Sequence, residues 1–176
     1  MPLKIKILLL SLIPMMLVTS AVAWLGMNQA RQLSEEEIRL FEAHLLGSKQ
    51  RELENYVSLA LTSIAHIVDT AGPNDAQAQS AVKQILTDMT FGDDQDGYFF
   101  VYTMDGVNLV HPTQPELVGQ NLYDMQDARG NYVIRNLLER ARQGGGFHRY
   151  LWQKPSKQTR EEKIGYAVML PKWNWM

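Results

Sequence analysis

The chain contains no cysteine, so a disulfide framework, a thiolate metal site and cysteine catalysis are all excluded. It has no basic excess either: 17 lysines and arginines face 19 aspartates and glutamates, for a formal net charge of -2. That balance argues against a nucleic-acid partner, whose phosphates call for a concentrated positive surface. Histidine is scarce. The four present, His44, His66, His111 and His148, lie far apart and form no metal pair at helical spacing. The acidic turn Asp93-Asp94-Gln95-Asp96-Gly97 is no calcium loop, because aligning Gly97 with the loop glycine leaves Gly92 and Thr103 at ligand positions. Gly144-Gly145-Gly146 lacks the Gly-Lys-Ser/Thr ending of a phosphate loop. No nucleophile and base assemble from what remains, so an enzyme is not expected, nor a metal or cofactor.

Charge is also missing from one long stretch. From Ile7 to Met27 there is none, and at about 1.5 Å per residue the segment spans roughly 31 Å, close to a bilayer core. Lys4 and Lys6 precede it, while Arg31 after it is soon outweighed by Glu35, Glu36 and Glu37. Positive flanks stay inside, which predicts residues 1–6 in the cytoplasm, a transmembrane helix over 7–27, and residues 28–176 outside the cytoplasm. The expected location is the inner (plasma) membrane, with a single pass in these residues. A cleaved signal peptide ending near Ala21-Val22-Ala23 is the alternative, and it also implies export.

After this segment the apolar residues recur mostly every three or four positions from Leu33 through Phe41, Leu53 and Ala60 to Ile67. That pattern predicts one long helix from Asn28 to about Thr70, with a break at Gly47 as the alternative. Its length suggests that part of it extends the membrane helix or pairs with a second copy, the latter a homodimer through the long helix. Ala71-Gly72-Pro73-Asn74 stops it, and Asn74 or Asp75 can cap a second helix running to about Met89. The period then changes to that of strands. Tyr98 to Thr103 and Val107 to Val110 read as a hairpin about Asp105-Gly106. A loop-rich excursion from His111 to Asp127 leads to a helix over 131–142, then to strands at 147–152 and 164–170. Antiparallel strands with helices packed on them make an α+β domain.

Side chains alternate along a strand, so Tyr98, Phe100 and Tyr102 share one face, as do His148, Tyr150 and Trp152. Such residues form either ordinary sheet core or the walls of a small pocket, burying area while offering hydrogen bonds. Lys163 and His111 could supply donors for an anionic group.

The ordered set Asp96-Gly97-Tyr98-Phe99-Phe100-Val101-Tyr102, His111-Pro112, Pro115, Gly119-Gln120-Asn121, Asp127 with Gly130, Gly144-Gly145-Gly146-Phe147, Tyr150-Leu151-Trp152, Pro155, Lys163 and Tyr166 resembles the single Cache sensory domain. The likeness is to the type-two form found ahead of methyl-accepting chemotaxis receptors and some sensor histidine kinases, and it covers about Ser34 to Met176. It implies a PAS-like antiparallel sheet behind a long N-terminal helix, with a pocket on the face away from that helix. The implied ligands are small organic molecules, commonly short carboxylates. Carried over by position, Tyr98, Phe100, His111, Tyr150, Trp152, Lys163 and Tyr166 become candidate ligand-binding residues. In an unbroken strand Lys163 and Tyr166 point to opposite faces, so a bulge is required or one lies outside the pocket. The family pattern continues past Trp173-Asn174-Trp175-Met176 into a final strand, so an unpaired sheet edge is expected here. Chemoreceptor sensing is thus the first expectation. The sensor part of a histidine kinase, or an exported dimerisation module without a ligand, are the alternatives.

Overall fold

The computed structural model describes residues 2–154, 157 and 159–176; the side chains of residues 4–11, 13, 14, 18 and 30 are also outside the description. Pro155 of the motif set therefore lies outside the described residues, and the 7–27 segment does so in part. The first helix, α1, runs over Leu3–Thr70, and its backbone stays helical through Gly47 and Ser48. Neither residue needs to break it: serine is tolerated in a helix, and a single glycine costs only about 1 kcal/mol relative to alanine. Among the described residues no helix is long and apolar enough to cross a membrane.

The chain divides into two compact units, Met1–Ser48 and Lys49–Met176. In the first unit, the apolar side chains of Met15, Met16 and Leu17, those of Val22, Trp24, Leu25 and Met27, and again Leu33, Ile38, Phe41 and Leu45 are exposed.

The second unit is an α+β domain. Its part of α1 buries Ala60, Ile64 and Val68, four residues apart and hence on one helical face. Helix α2 (Ala76–Asp88) starts at Asp75, whose carboxylate accepts from the Ala78 N–H and so satisfies one of the free amides of the first turn. It buries Val82 and Leu86 beside α1. The strands follow as β1 (Thr90–Phe91), β2 (Gly97–Tyr98), β3 (Val101–Tyr102) and β4 (Asn108–Val110). Helix α3 (Val133–Arg142) precedes the long strands β5 (Gly146–Gln153) and β6 (Arg160–Ala167). Three antiparallel pairs result: β1 with β2, β3 with β4, and β5 with β6.

Two cores lie on opposite sides of these strands. On the α1 side, Ala60, Ile64, Val68, Val82 and Leu86 pack with Val101, Val110, Trp173 and Trp175. On the other side α3 buries Val133, Ile134, Leu137, Leu138 and Ala141 against Tyr102, Tyr150, Trp152 and Met176. The adjacent strand residues Val101 and Tyr102 therefore feed different cores, as alternation requires.

The strand expected over 98–103 is interrupted. Residues 99 and 100 belong to no ladder, and the β3–β4 register shifts between Val101 and Tyr102. Strand β6 begins four residues earlier than the 164–170 reading and ends earlier, with a continuous register to β5 from Gly146↔Ala167 to Gln153↔Arg160.

Candidate functional site

A small cavity of about 10 Å³ lies on the α3 side of the strands, away from α1. Tyr98, Phe100 and Tyr102 form one wall, His111 another, Tyr150 and Trp152 of β5 a third, and Val133, Ile134 and Leu137 of α3 the roof. Its free volume suits about one water molecule. Five of the seven candidates meet here: Tyr98, Phe100, His111, Tyr150 and Trp152. Their rings touch in sequence. Tyr98 and His111 are 5.1 Å apart between centroids, His111 and Trp152 stack at 5.8 Å, and Tyr150 meets Trp152 edge-on at 6.0 Å.

Lys163 pairs with Tyr150 across the β5–β6 ladder, so both side chains leave the same face. Its Nζ sits 4.7 Å from the centre of the Tyr98 ring, and Lys163 itself lines a second, larger cavity behind that ring. Tyr166 is on the opposite face. It pairs with Phe147, its ring 4.7 Å from that residue's, and its hydroxyl lies where a Cβ on Gly145 would come within 3.0 Å. The register is unbroken, so no bulge turns Lys163 and Tyr166 to one face, although both line the larger cavity of about 200 Å³. His148 also stays out of the cavity, its Nε2 3.3 Å from the Asn136 side-chain nitrogen.

The polar groups at the cavity are nearly all donors. His111 is 4% exposed, and its Nδ1 accepts from the Gln114 N–H at 3.1 Å, so in the neutral ring the proton is on Nε2. Burial, helped by the charge of Lys163, pushes its pKa down to about 4, which makes the imidazole neutral at pH 7. Burial pushes the Tyr98 hydroxyl up to about 12, opposed by a hydrogen bond with Thr113, and drives Tyr150 and Tyr102 up as well. All three phenols thus keep their protons. Burial lowers the Lys163 pKa while the Asp96 carboxylate opposes that shift. The Trp152 indole Nε1 is buried without a hydrogen-bond partner among the described residues. A buried N–H left in that state is uncommon and is satisfied most simply by a bound acceptor. No acidic side chain lines the cavity.

Several positions on which the site depends carry no chemistry of their own. Gly165 faces Tyr150 so closely that a Cβ would lie 3.0 Å from its hydroxyl, so any larger residue would make that ring give way by a few tenths of an ångström. Asp127 fastens the loop to the outer edge of β5. Its carboxylate accepts from the N–H groups of Arg129 and Asn131 at 2.8 and 3.0 Å, from the Asn131 side chain at 3.0 Å, and from the Leu151 N–H at 2.9 Å. Burial would raise its pKa, but these donors, Leu151 foremost, outweigh burial and hold it well below the usual carboxylate range. Tyr102 and the three α3 residues also line the cavity. Their inward direction follows from periodicity, but that they meet these aromatics depends on long-range packing.

A second, larger cavity of about 200 Å³ separates residues 97–101 from β6 and shares Tyr98, Phe100 and Tyr150 with the small one. Its other walls are mostly apolar, including Leu53, Val57 and Leu61 of α1. Among the described residues no group of acidic residues and histidines could hold a metal ion.

The model of the single Cache domain 2 family matches residues 45–176. The chain is 39% identical over its whole length to the sensor histidine kinase MctS of Rhizobium johnstonii, of which it spans 38%. It is 30% identical, over 98% of its length, to the methyl-accepting chemotaxis protein CtpM of Pseudomonas aeruginosa, of which it spans 30%. Among solved structures, a methyl-accepting chemotaxis protein from Vibrio parahaemolyticus superposes with a TM-score of 0.71 at 36% identity, covering 76% of this chain and 87% of that one. A Cache chemosensory domain studied for carboxylic acid recognition shares the fold at 22% identity and a TM-score of 0.66, covering 74% and 90% of the two chains.

Proposed function

The chain belongs to the single Cache domain 2 family, and on that premise we propose that it is the extracytoplasmic sensor of a membrane receptor for a small organic acid, a short carboxylate. The observation that carries this reading is the donor-rich cavity, which has no acidic side chain in its lining. The indole N–H of Trp152 lacks a partner among the described residues, a neutral His111 presents Nε2–H, protonated Tyr98 and Tyr150 stand beside it, and the Lys163 ammonium lies 4.7 Å from the centre of the Tyr98 ring. A carboxylate offers only acceptors and one negative charge, so it complements such a set, and charge-assisted hydrogen bonds are about twice as strong as neutral ones. The apolar end of the acid would rest on Phe100 and the α3 residues. The solved Cache domain that recognises carboxylic acids has the same fold, which agrees with this chemistry. With phenols protonated and no carboxylate base in the lining, the cavity is read as a binding site and not a catalytic one.

The uncharged run from Ile7 to Met27 behind Lys4 and Lys6 supports a membrane anchor that leaves the sensor outside the cytoplasm. The exposed apolar positions Leu33, Ile38, Phe41 and Leu45 support a homodimer through the long helix. Similar proteins include both a histidine kinase and a chemotaxis receptor. A chemoreceptor output is the first reading and a kinase the second, and both would use the same cavity. Titration calorimetry with acetate, propionate and pyruvate tests the ligand class. One of these acids is expected to bind at one site per chain. A folded sample that takes up none of them would refute it.

A further inference from the structure

Trp152 also borders a third cavity, of about 150 Å³, between the loop that joins β4 to α3 and the connected ends of β5 and β6. Leu117, Met125 and Leu151 give this chamber apolar walls. An apolar cavity of about that size accommodates a benzene ring. Two polar atoms of its lining residues are buried without a partner among the described residues, and they are of opposite kinds. Gln114 Oε1 is an acceptor, and Trp152 Nε1–H is a donor on a residue only 9% exposed. Each carries a desolvation cost that a bound group of the complementary kind removes. Gln114 is held at both ends. Its backbone N–H donates to His111 Nδ1 at 3.1 Å, and its side-chain Nε2 donates to Gln153 Oε1 at 3.4 Å, which leaves Oε1 as the unused end of the amide.

The charged groups of the lining do not select an ion. Each carboxylate oxygen of Asp127 accepts from two N–H donors, which fills its acceptor sites. An ammonium group finds no lone pair there, and an anion meets the carboxylate charge. Arg160 is exposed and of opposite sign, so the two charges offset each other. We propose that the chamber is a second binding site, for a small uncharged primary amide. The ligand carbonyl accepts from the Trp152 indole N–H, its NH2 donates to Gln114 Oε1, and its apolar part rests on Leu117, Met125 and Leu151. The two sites are coupled, because Trp152 borders both cavities and its single N–H serves an acceptor in one of them at a time. An amide in the chamber withdraws one donor from the carboxylate, and each ligand weakens the other by the same factor. The coupling rests on the carboxylate reading given above; the amide site does not.

Benzamide is the probe, and acetophenone, with the same ring and carbonyl but no N–H, is the comparison. Both are titrated into the 176-residue chain and its Gln114→Met variant, with the Trp152 indole N–H and the methyl groups of Leu117 and Met125 followed by NMR. The native chain is expected to bind benzamide saturably, with shifts at all three residues. It should bind acetophenone at least about tenfold more weakly, because the ketone leaves Gln114 Oε1 buried and unpaired. The variant has no such acceptor and is expected to bind the two alike. With benzamide saturating, the Kd of the tightest-binding of acetate, propionate and pyruvate should rise about tenfold. Absence of a saturable benzamide shift, shifts confined to residues outside the chamber, or equal affinity of the native chain for the two probes each overturns the site. The last comparison needs no variant, so it decides even where Gln114→Met fails to fold. A folded variant that keeps the native preference overturns the pairing with Gln114. An unchanged acid Kd with benzamide bound overturns the shared N–H. If none of the three acids binds, the carboxylate reading falls separately, and the benzamide and acetophenone titrations still decide the amide site.

Discussion

His111 gives the domain a stability that depends on pH in a defined window. Its folded-state pKa of about 4 lies below the ordinary 6.5, because burial and the nearby Lys163 charge disfavour the imidazolium. As pH falls through 6.5 the unfolded chain takes up a proton that the folded chain refuses until about pH 4. The stability contributed is therefore fully present above 6.5, declines between 6.5 and 4, and totals at most about 3 kcal/mol. In a His111→Gln variant the introduced amide oxygen can still accept from the Gln114 N–H, but the side chain does not titrate. Between pH 6 and pH 5 the native chain is expected to lose about 1 kcal/mol more than the variant, near half a molar unit of urea midpoint for a domain of this size. Urea unfolding at half-unit pH steps, in buffers free of short carboxylic acids, measures the difference. Parallel pH profiles for the two chains would refute the buried, neutral imidazole on which the donor arrangement depends.

Two further substitutions separate binding from folding. Trp152→Phe removes the unpartnered indole N–H while keeping an aromatic wall, so short-carboxylate affinity is expected to fall by about tenfold or more, with a stability change below about 1.5 kcal/mol; calorimetry and urea unfolding read the two effects. Asp127→Ala leaves the Leu151 N–H and the loop amides without their acceptor and is expected to lower unfolding stability by about 2–4 kcal/mol, with its largest increase in amide exchange at residues 127–131 and 151.

The parts of the fold set by local chemistry were legible in the sequence. Asp75 caps α2 because its carboxylate reaches back to the first turn, and the alternation of 98, 100 and 102 put three aromatics on the cavity face. Helix α3 buries the five apolar residues that its periodicity marks. The pairing of long strands was less legible. The start of β6 at Arg160 is charged and polar, and only partnership with β5 makes Arg160 to Lys163 extended. The two-residue strand β1 carries too little pattern to be seen, and the gap at residues 99 and 100 depends on what lies beside them in space. At the site, resemblance supplied seven positions. The register of β5 and β6 decided what spacing could not, by sending Lys163 to the cavity face and Tyr166 to the other. Gly165 and Asp127 position Tyr150 and β5 through contacts distant in sequence, so no local signal marks their role at the site.

The central claim is that a short carboxylate sits among Tyr98, His111 and Trp152, and the indole Nε1–H resonance of Trp152 reports on that place directly. In a titration with the tightest-binding of acetate, propionate and pyruvate, this resonance is expected to shift saturably with the Kd that calorimetry gives. At about 100 times that Kd the domain should gain about 2.7 kcal/mol of stability. Binding that saturates while the Trp152 and Tyr98 resonances stay fixed, with shifts confined to other residues, would place the ligand elsewhere and contradict the claim.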